Sequence, residues 1–222
     1  MVMKKALLIV VLLVVLAVPT LIMASQDSVF TEYSGGGVST GGPTLTDDNS
    51  VHVPLDPNEL YIVVVAREPL KSKLEVAIPP VARRYGLDPG VVATGMDSLP
   101  AVQFKGRLLV VYVLSEDEKS GLLSRTCKLN VVAYYSSVGD VQSFLAAYAA
   151  IKTSDPEAFA EELDARAMAY LGTNGLSGDV GIAWWRGMKA ERGRLVGGDP
   201  CEGAVEAIAE GVGELLQTSG VS

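Results

Sequence analysis

The chain has 222 residues, enough for one domain of ordinary size with appendages. Its formal net charge is -8, from 18 lysines and arginines against 26 aspartates and glutamates, and 49% of its residues are hydrophobic. An acidic chain repels nucleic acid and anionic lipid headgroups, so we exclude both as partners of the folded part.

The inventory of reactive side chains is small. His52 is the single histidine, and it lies in a predicted linker, whereas a Ser-His-Asp triad needs a histidine near the folded core. One histidine cannot form a multi-histidine zinc site, and two cysteines cannot form a thiolate cluster. We therefore predict no catalytic residue, no metal and no cofactor, and we favour a protein that is not an enzyme.

The chain opens with an apolar segment, residues 1–24. No charged residue lies between Ala6 and Ala24, and as a helix this stretch spans about 28 Å, against a hydrocarbon core of about 30 Å. Lys4 and Lys5 precede it and favour a cytoplasmic N-terminus. We predict a single-pass membrane anchor, with the membrane as partner through residues 6–24 and the rest of the chain outside the cytoplasm.

Two alternatives for this segment stay open. A secretory signal cut after Ala24 would release a secreted protein, although Ile22 stands where such signals prefer a small residue. The run Lys5-Ala6-Leu7-Leu8 resembles the prepilin-type cleavage site of archaeal surface filaments. That resemblance implies an apolar helix that survives cleavage and packs into a filament core. All three interpretations place the folded part outside the cytoplasm.

Residues 25–57 are rich in glycine, serine and threonine and offer little to bury. Such a composition is typical of a flexible linker. The linker would span about 30 Å as a Gly-rich coil, which suits a domain that stands off a membrane.

The first half of the predicted domain, residues 58–222, alternates strands and helices. A β-rich apolar run predicts a buried strand at residues 60–66, and apolar residues at helical spacing predict a helix that Pro79 and Pro80 interrupt. A loop with a short strand follows. Two long apolar runs then predict an antiparallel hairpin, with Glu116, Asp117 and Glu118 at its polar tip, and these strands occupy residues 104–114 and 122–135.

Helices dominate the second half. Ser154 and Glu157 form a capping box with Pro156 in the first turn, and Gly172 supplies the stop. Asp199, Pro200 and Glu202 repeat this N-terminal pattern and predict a helix that begins at Asp199. Another amphipathic stripe predicts a helix near residues 141–151.

The two cysteines are predicted to pair. Cys127 lies on a predicted strand and Cys201 at a helix start, and two cysteines in a domain outside the cytoplasm favour a disulfide. Two separate buried thiols are the alternative.

A Gly-rich segment contains the best candidate for a binding surface. Trp184, Trp185 and Arg186 stand together in a locally basic, aromatic stretch. An exposed tryptophan beside an arginine is suited to hold a sugar ring, a lipid headgroup or a partner protein. Core packing of both tryptophans is the alternative.

These patterns predict an α+β protein: a small, mostly antiparallel sheet of three or four strands packed with about four helices, preceded by an N-terminal apolar helix and a Gly/Ser/Thr tether. We expect a membrane-anchored domain with a binding or assembly role in the cell envelope, its partner an envelope protein or itself. The alternatives are a subunit of a pilin-like surface filament and an extracytoplasmic hydrolase.

Overall fold

The computed structural model describes residues 28–41, 51–52, 56, 58–121, 124–151, 153–173, 179–195 and 199–220. The predicted membrane anchor, with its alternative cleavage sites, lies outside these residues. Within the described ranges, no helix has both the length and the apolar character that crossing a bilayer requires.

Eight strands and four α-helices follow one another along the described chain. The strands are β1 (Ser28–Gly41), β2 (Val51–His52), β3 (Glu59–Val65), β4 (Asp88–Val91), β5 (Gln103–Phe104), β6 (Arg107–Ser120), β7 (Ser124–Ser136) and β8 (Asp179–Leu195). The helices are α1 (Leu70–Arg84), α2 (Gln142–Ala150), α3 (Pro156–Thr173) and α4 (Pro200–Thr218).

Six strands form one mixed sheet in the order β1-β8-β7-β6-β3-β4. The four neighbouring strands β1, β8, β7 and β6 pair antiparallel with one another. The strand β3 pairs parallel with both β6 and β4. A separate pair joins β2 to β5. The α+β class and the four helices are confirmed, but the predicted small, mostly antiparallel sheet is wrong, because the sheet is larger and mixed.

The sheet is covered on both faces. Helices α1 and α4 bury one face, where Leu74 and Ile208 pack against strand residues such as Leu129. Helices α2 and α3 bury the other face, where Phe144 and Phe159 join a second core. Because β-strand side chains alternate between faces, each central strand contributes to both cores. This explains why the central strands contain nearly continuous apolar runs.

The strand β1 lies inside the predicted flexible linker of residues 25–57. Its 14 residues pair with β8 along their whole length, so the linker interpretation is wrong for this segment. The physical reason is the partner strand, because Gly35 lies opposite Trp185 and Gly36 opposite Trp184. A Cβ atom at Gly36 would lie 2.7 Å from Trp184 Cε3. The glycines that made the segment resemble a linker leave room for the two indole rings.

Two further strands differ from the prediction. The Gly-rich segment around Trp184 forms the 17-residue strand β8, which pairs with β7 on its other side. The strand β6 continues to Ser120, so Glu116, Asp117 and Glu118 lie within a paired strand and not at a loop tip. Cross-strand partners on β7 hold this polar stretch extended, which composition alone does not reveal.

A disulfide joins the sheet to α4. Cys127 on β7 and Cys201 in the first turn of α4 are bonded, with Cα atoms 5.1 Å apart, and both residues are buried. The predicted disulfide is therefore confirmed. The 74-residue separation predicts a stabilisation of roughly 4 kcal/mol in the chain-entropy model.

Glycines also let α4 approach its neighbours. A Cβ atom at Gly213 would lie 2.6 Å from Val81 Cγ1 on α1, and one at Gly211 would lie 2.6 Å from Met188 Sδ on β8. The helix therefore gives up intrinsic helix propensity for close packing on two sides.

The pairing of β1 with β8 predicts that a larger residue at Gly35 destabilises the fold, whereas a flexible linker would tolerate it. Replacing Gly35 by alanine places a Cβ atom 2.6 Å from the buried Trp185 Nε1 and 2.2 Å from Asp164 Oδ1. We expect Gly35→Ala to lower the free energy of unfolding by about 1–3 kcal/mol, because a packed site must shift to admit it. Urea denaturation of the disulfide-bonded protein measures this change.

Gly95→Ala is the matched control, since a Cβ atom there meets nothing within 4 Å. Equal unfolding free energies for the two variants would contradict the packing of β1 against β8.

Candidate functional site

A crevice opens where the chain changes direction across the sheet. The chain leaves β3 through α1 to reach β4 on one side, then crosses to β6 on the other side. In parallel sheets, such a switch between neighbouring strands leaves a space at their carboxyl ends, and ligands commonly bind there. Here the switch lies between β3 and β6.

The geometry of β6 widens this space. Pairing between β3 and β6 ends where Val65 lies opposite Tyr112, and β6 continues beyond that point with β7 alongside it. The register of β6 against β7 shifts between Val113 and Ser115, which marks a β-bulge. Bulges bend a strand and redirect its side chains, and they are common beside binding and active sites.

The resulting crevice, which we call the β3–β6 crevice, has a volume of about 730 Å³. This volume falls in the range of small-molecule sites. Apolar and charged groups both line it. The lining residues are Val65, Ala66, Arg67, Met96, Asp97, Tyr112, Val113, Leu114, Ser115 and Glu116.

Charge in the crevice is mixed. Burial raises the pKa of Glu116 above its ordinary value, and the negative charge of Glu118 adds to the rise, while Lys73 and Arg67 act in the opposite direction. A carboxyl with a raised folded-state pKa destabilises the fold above that pKa, and the penalty disappears as the pH falls below it. Glu116 and Arg67 both line the crevice, and the guanidinium of Arg67 acts on the Glu116 carboxyl, so groups of opposite charge interact there.

An aromatic cluster surrounds Tyr112, which lines the crevice. The ring of Tyr112 lies 5.5 Å from that of Tyr148 and 6.1 Å from that of Phe144, both edge-on, and 6.3 Å from that of Phe159. Burial raises the pKa of Tyr112, and the neighbouring Tyr148 hydroxyl raises it further. Because Tyr148 is exposed, the cluster connects the core under α2 and α3 to the surface beside the crevice.

Ion pairing fixes the start of α4 on the other face of the sheet. Lys73 on α1 forms an ion pair with Asp199, and the Asp199 carboxylate accepts a hydrogen bond of 2.9 Å from the Cys201 backbone N–H. This is a helix N-cap, and it anchors the helix that carries the disulfide. Lys73 thereby acts both on the α4 terminus and on the charge of Glu116.

Glu118 lies against the disulfide. Its Oε1 atom is 3.1 Å from Cys201 Sγ, and it pairs across the strands with Cys127. A disulfide sulfur carries no proton, so this contact is not a hydrogen bond from sulfur. The three residues lie within metal-binding reach of one another, but both sulfurs are bonded to each other and do not act as thiolate ligands.

A second, more apolar cavity borders the edge strand β4. It has a volume of about 590 Å³, and no charged residue lines it. Thr94 lines this cavity, and its buried Oγ1 atom has no hydrogen-bond partner within the described part of the chain. The lining residues are Tyr61, Gly90, Val91, Val92, Ala93, Thr94, Ser98 and Val102.

The three residues that the sequence favours for binding lie away from both cavities. Trp185 is 2% exposed and belongs to the core beneath α2 and α3, while Trp184 is half-buried on the face that α4 covers. Arg186 is buried, and its Nη1 atom donates to the Gly211 carbonyl at 2.8 Å and to Glu214 at 3.0 Å. A binding role for the three stays a prediction, and the observed contacts of Trp185 and Arg186 are packing and helix attachment.

Sequence reasoning did not identify the crevice residues as a site. Arg67 lies two residues after the end of β3, and this position of a charged residue shortly after a buried strand was the available signal. Asp97 and Tyr112 meet it only through the strand order, which no local pattern reveals.

No protein-family model matches the chain, and no curated protein matches it. Among solved structures, it is similar to a PelC dodecamer from Paraburkholderia phytofirmans, with 13% identity and a TM-score of 0.35 over 85% of this chain and 96% of that one. A single-substitution variant of that dodecamer gives 13% identity and a TM-score of 0.38 over 84% of this chain and 98% of that one.

The charge arrangement in the crevice yields a prediction. Arg67 holds the pKa of Glu116 down, so removing its charge in Arg67→Gln raises that pKa further above the ordinary glutamate value. Carbon-detected NMR titration of the Glu116 carboxyl measures the shift.

Arg84→Gln serves as the control, because Arg84 forms an ion pair with Glu210 and is not among the groups that act on Glu116. An unchanged or lowered Glu116 pKa in Arg67→Gln would show that the guanidinium does not act on the crevice.

Proposed function

We propose that this protein is a membrane-anchored domain outside the cytoplasm that binds another component of the cell envelope, with the β3–β6 crevice as its binding site. The observation that carries the proposal is the crevice itself. It lies at the switch point of the sheet, it has the volume of a ligand site, and charged and aromatic side chains converge in it.

The mixture of groups favours recognition of a ligand with both polar and apolar parts. Arg67 offers a cationic fork, and Asp97 and Glu116 offer carboxylates on the same crevice. Met96 and Tyr112 add apolar surface to the same crevice. A segment of a partner protein, with charged and apolar side chains in alternation, suits this lining.

The disulfide supports the location. Disulfides persist in oxidising compartments and are rare in the cytosol, where thiols are kept reduced. Cys127 and Cys201 are both buried and bonded. Together with the apolar residues 6–24, this favours a domain outside the cytoplasm that is held at the membrane. The filament subunit and the hydrolase stay as the sequence-based alternatives.

The location is tested by the state of the two cysteines in living cells. Thiols are blocked with a permeant alkylating reagent before lysis, and the peptides are then analysed by mass without reduction. We expect one cross-linked peptide pair that contains Cys127 and Cys201. Alkylation of both cysteines in the native protein would mean a reducing compartment and would contradict the proposal.

The binding site is tested by photo-cross-linking in intact cells. A benzophenone amino acid replaces Met96 in the crevice, and a matched variant carries it at Val76, which is 74% exposed on α1. We expect a discrete adduct from position 96 only, and its loss when Arg67→Glu reverses the crevice charge. Equal adducts from both positions, or an adduct that Arg67→Glu leaves intact, would overturn the crevice as the site.

A further inference from the structure

The two edges of the main sheet are built differently. The strand β4 is only four residues long, contains Pro89 and begins with Asp88. Short length, proline and charge are the devices by which natural sheets prevent pairing at an edge. Among the strands that the structure describes, β1 forms the other edge, and its own sequence has none of these protections: it is 14 residues long, lacks proline and lysine, and contains one charged residue, Glu32.

Exposed apolar side chains accompany this unprotected edge. Phe30 on β1 is 39% exposed, and Ile182 on β8 is 44% exposed. Phe30 pairs with Ala190 and Ile182 with Val38, and the strand alternation places Phe30 and Ile182 on the same face of the sheet. The two apolar side chains thus lie near opposite ends of β1 on one face.

We propose that two copies of this chain associate through β1, which pairs antiparallel with β1 of the second copy across a two-fold axis. This association requires neither the crevice nor cleavage of the N-terminal segment. We place the two-fold axis at Ser34. In this register Phe30 of one copy pairs with position 38 of the other. Each exposed Phe30 then lies opposite Val38 of the second copy, whose partner on β8 is Ile182, and this arrangement occurs twice.

The same register satisfies the charges and the backbone. Glu32 lies opposite Gly36 of the second copy, so the only charged residues of the two strands do not face each other. The ladder covers residues 28–40 of each copy and provides about 13 backbone hydrogen bonds, against about 10 direct hydrogen bonds in a typical specific interface. A closed two-fold arrangement also covers both β1 edges and leaves neither open to a third copy.

Cysteine cross-linking of the full chain in membranes tests the register. In Ser34→Cys, the two new thiols face each other on the axis, where opposed antiparallel Cα atoms lie about 4.5–5.5 Å apart and permit a disulfide. We expect a covalent dimer under mild oxidation. The matched control is Val91→Cys, because Val91 is exposed on the short, proline-containing edge strand β4. This variant should stay monomeric. Equal dimer yields from the two variants would overturn the proposal.

Sedimentation of the full chain in density-matched detergent tests the association itself. We expect a dimer for the natural sequence and at least about a tenfold weaker association for Ser34→Lys, which opposes two ammonium groups on the axis. Val76→Lys adds the same charge on exposed α1 and should leave the dimer intact. Near-ultraviolet circular dichroism checks that Ser34→Lys is folded. A monomeric natural chain, whose edge another segment or another protein must then cover, would overturn the proposal.

Discussion

Burial of β8 on both faces is the constraint on which the other layers depend. Trp185 enters the core beneath α2 and α3, while Met188 and Ala190 enter the core beneath α1 and α4. One strand therefore requires helices on both sides, and its two edges require β7 and β1 as partners. The indole rings in turn require glycines on β1, since any larger residue at Gly35 or Gly36 would overlap them.

The interactions that fix the start of α4 lie beside the crevice, since the charges of Lys73 and Asp199 act on Glu116. The disulfide, the cap at Asp199 and its ion pair with Lys73 fix the start of α4 against the antiparallel half of the sheet. The parallel half, where β3 and β6 diverge, holds the crevice and its bulged wall. The disulfide and the helix cap hold the neighbouring side chains in place, which suits the binding site proposed above.

Sequence patterns predicted those parts of the fold that local chemistry determines. The capping residues of α4, the buried run of β3, the paired apolar runs of β6 and β7 and the disulfide partners all follow from spacing and residue type. Composition failed for β1, because its glycines have meaning only opposite Trp184 and Trp185 on a strand far away in the chain. The crevice could not be predicted for the same reason, since the order of strands across the sheet, and not any motif, brings Arg67 to Glu116.

The proposed function requires residues 6–24 to remain uncut and to hold the domain at the outer side of a membrane. The most direct measurement is the mass of the N-terminal peptide of the native protein, taken separately from the membrane and the soluble fractions. We expect a membrane-bound protein that retains Lys4, Lys5 and residues 6–24. A membrane-bound chain that begins at Leu7 would contradict the account in favour of a filament subunit. A soluble chain that begins near Ser25 would contradict it in favour of a released protein.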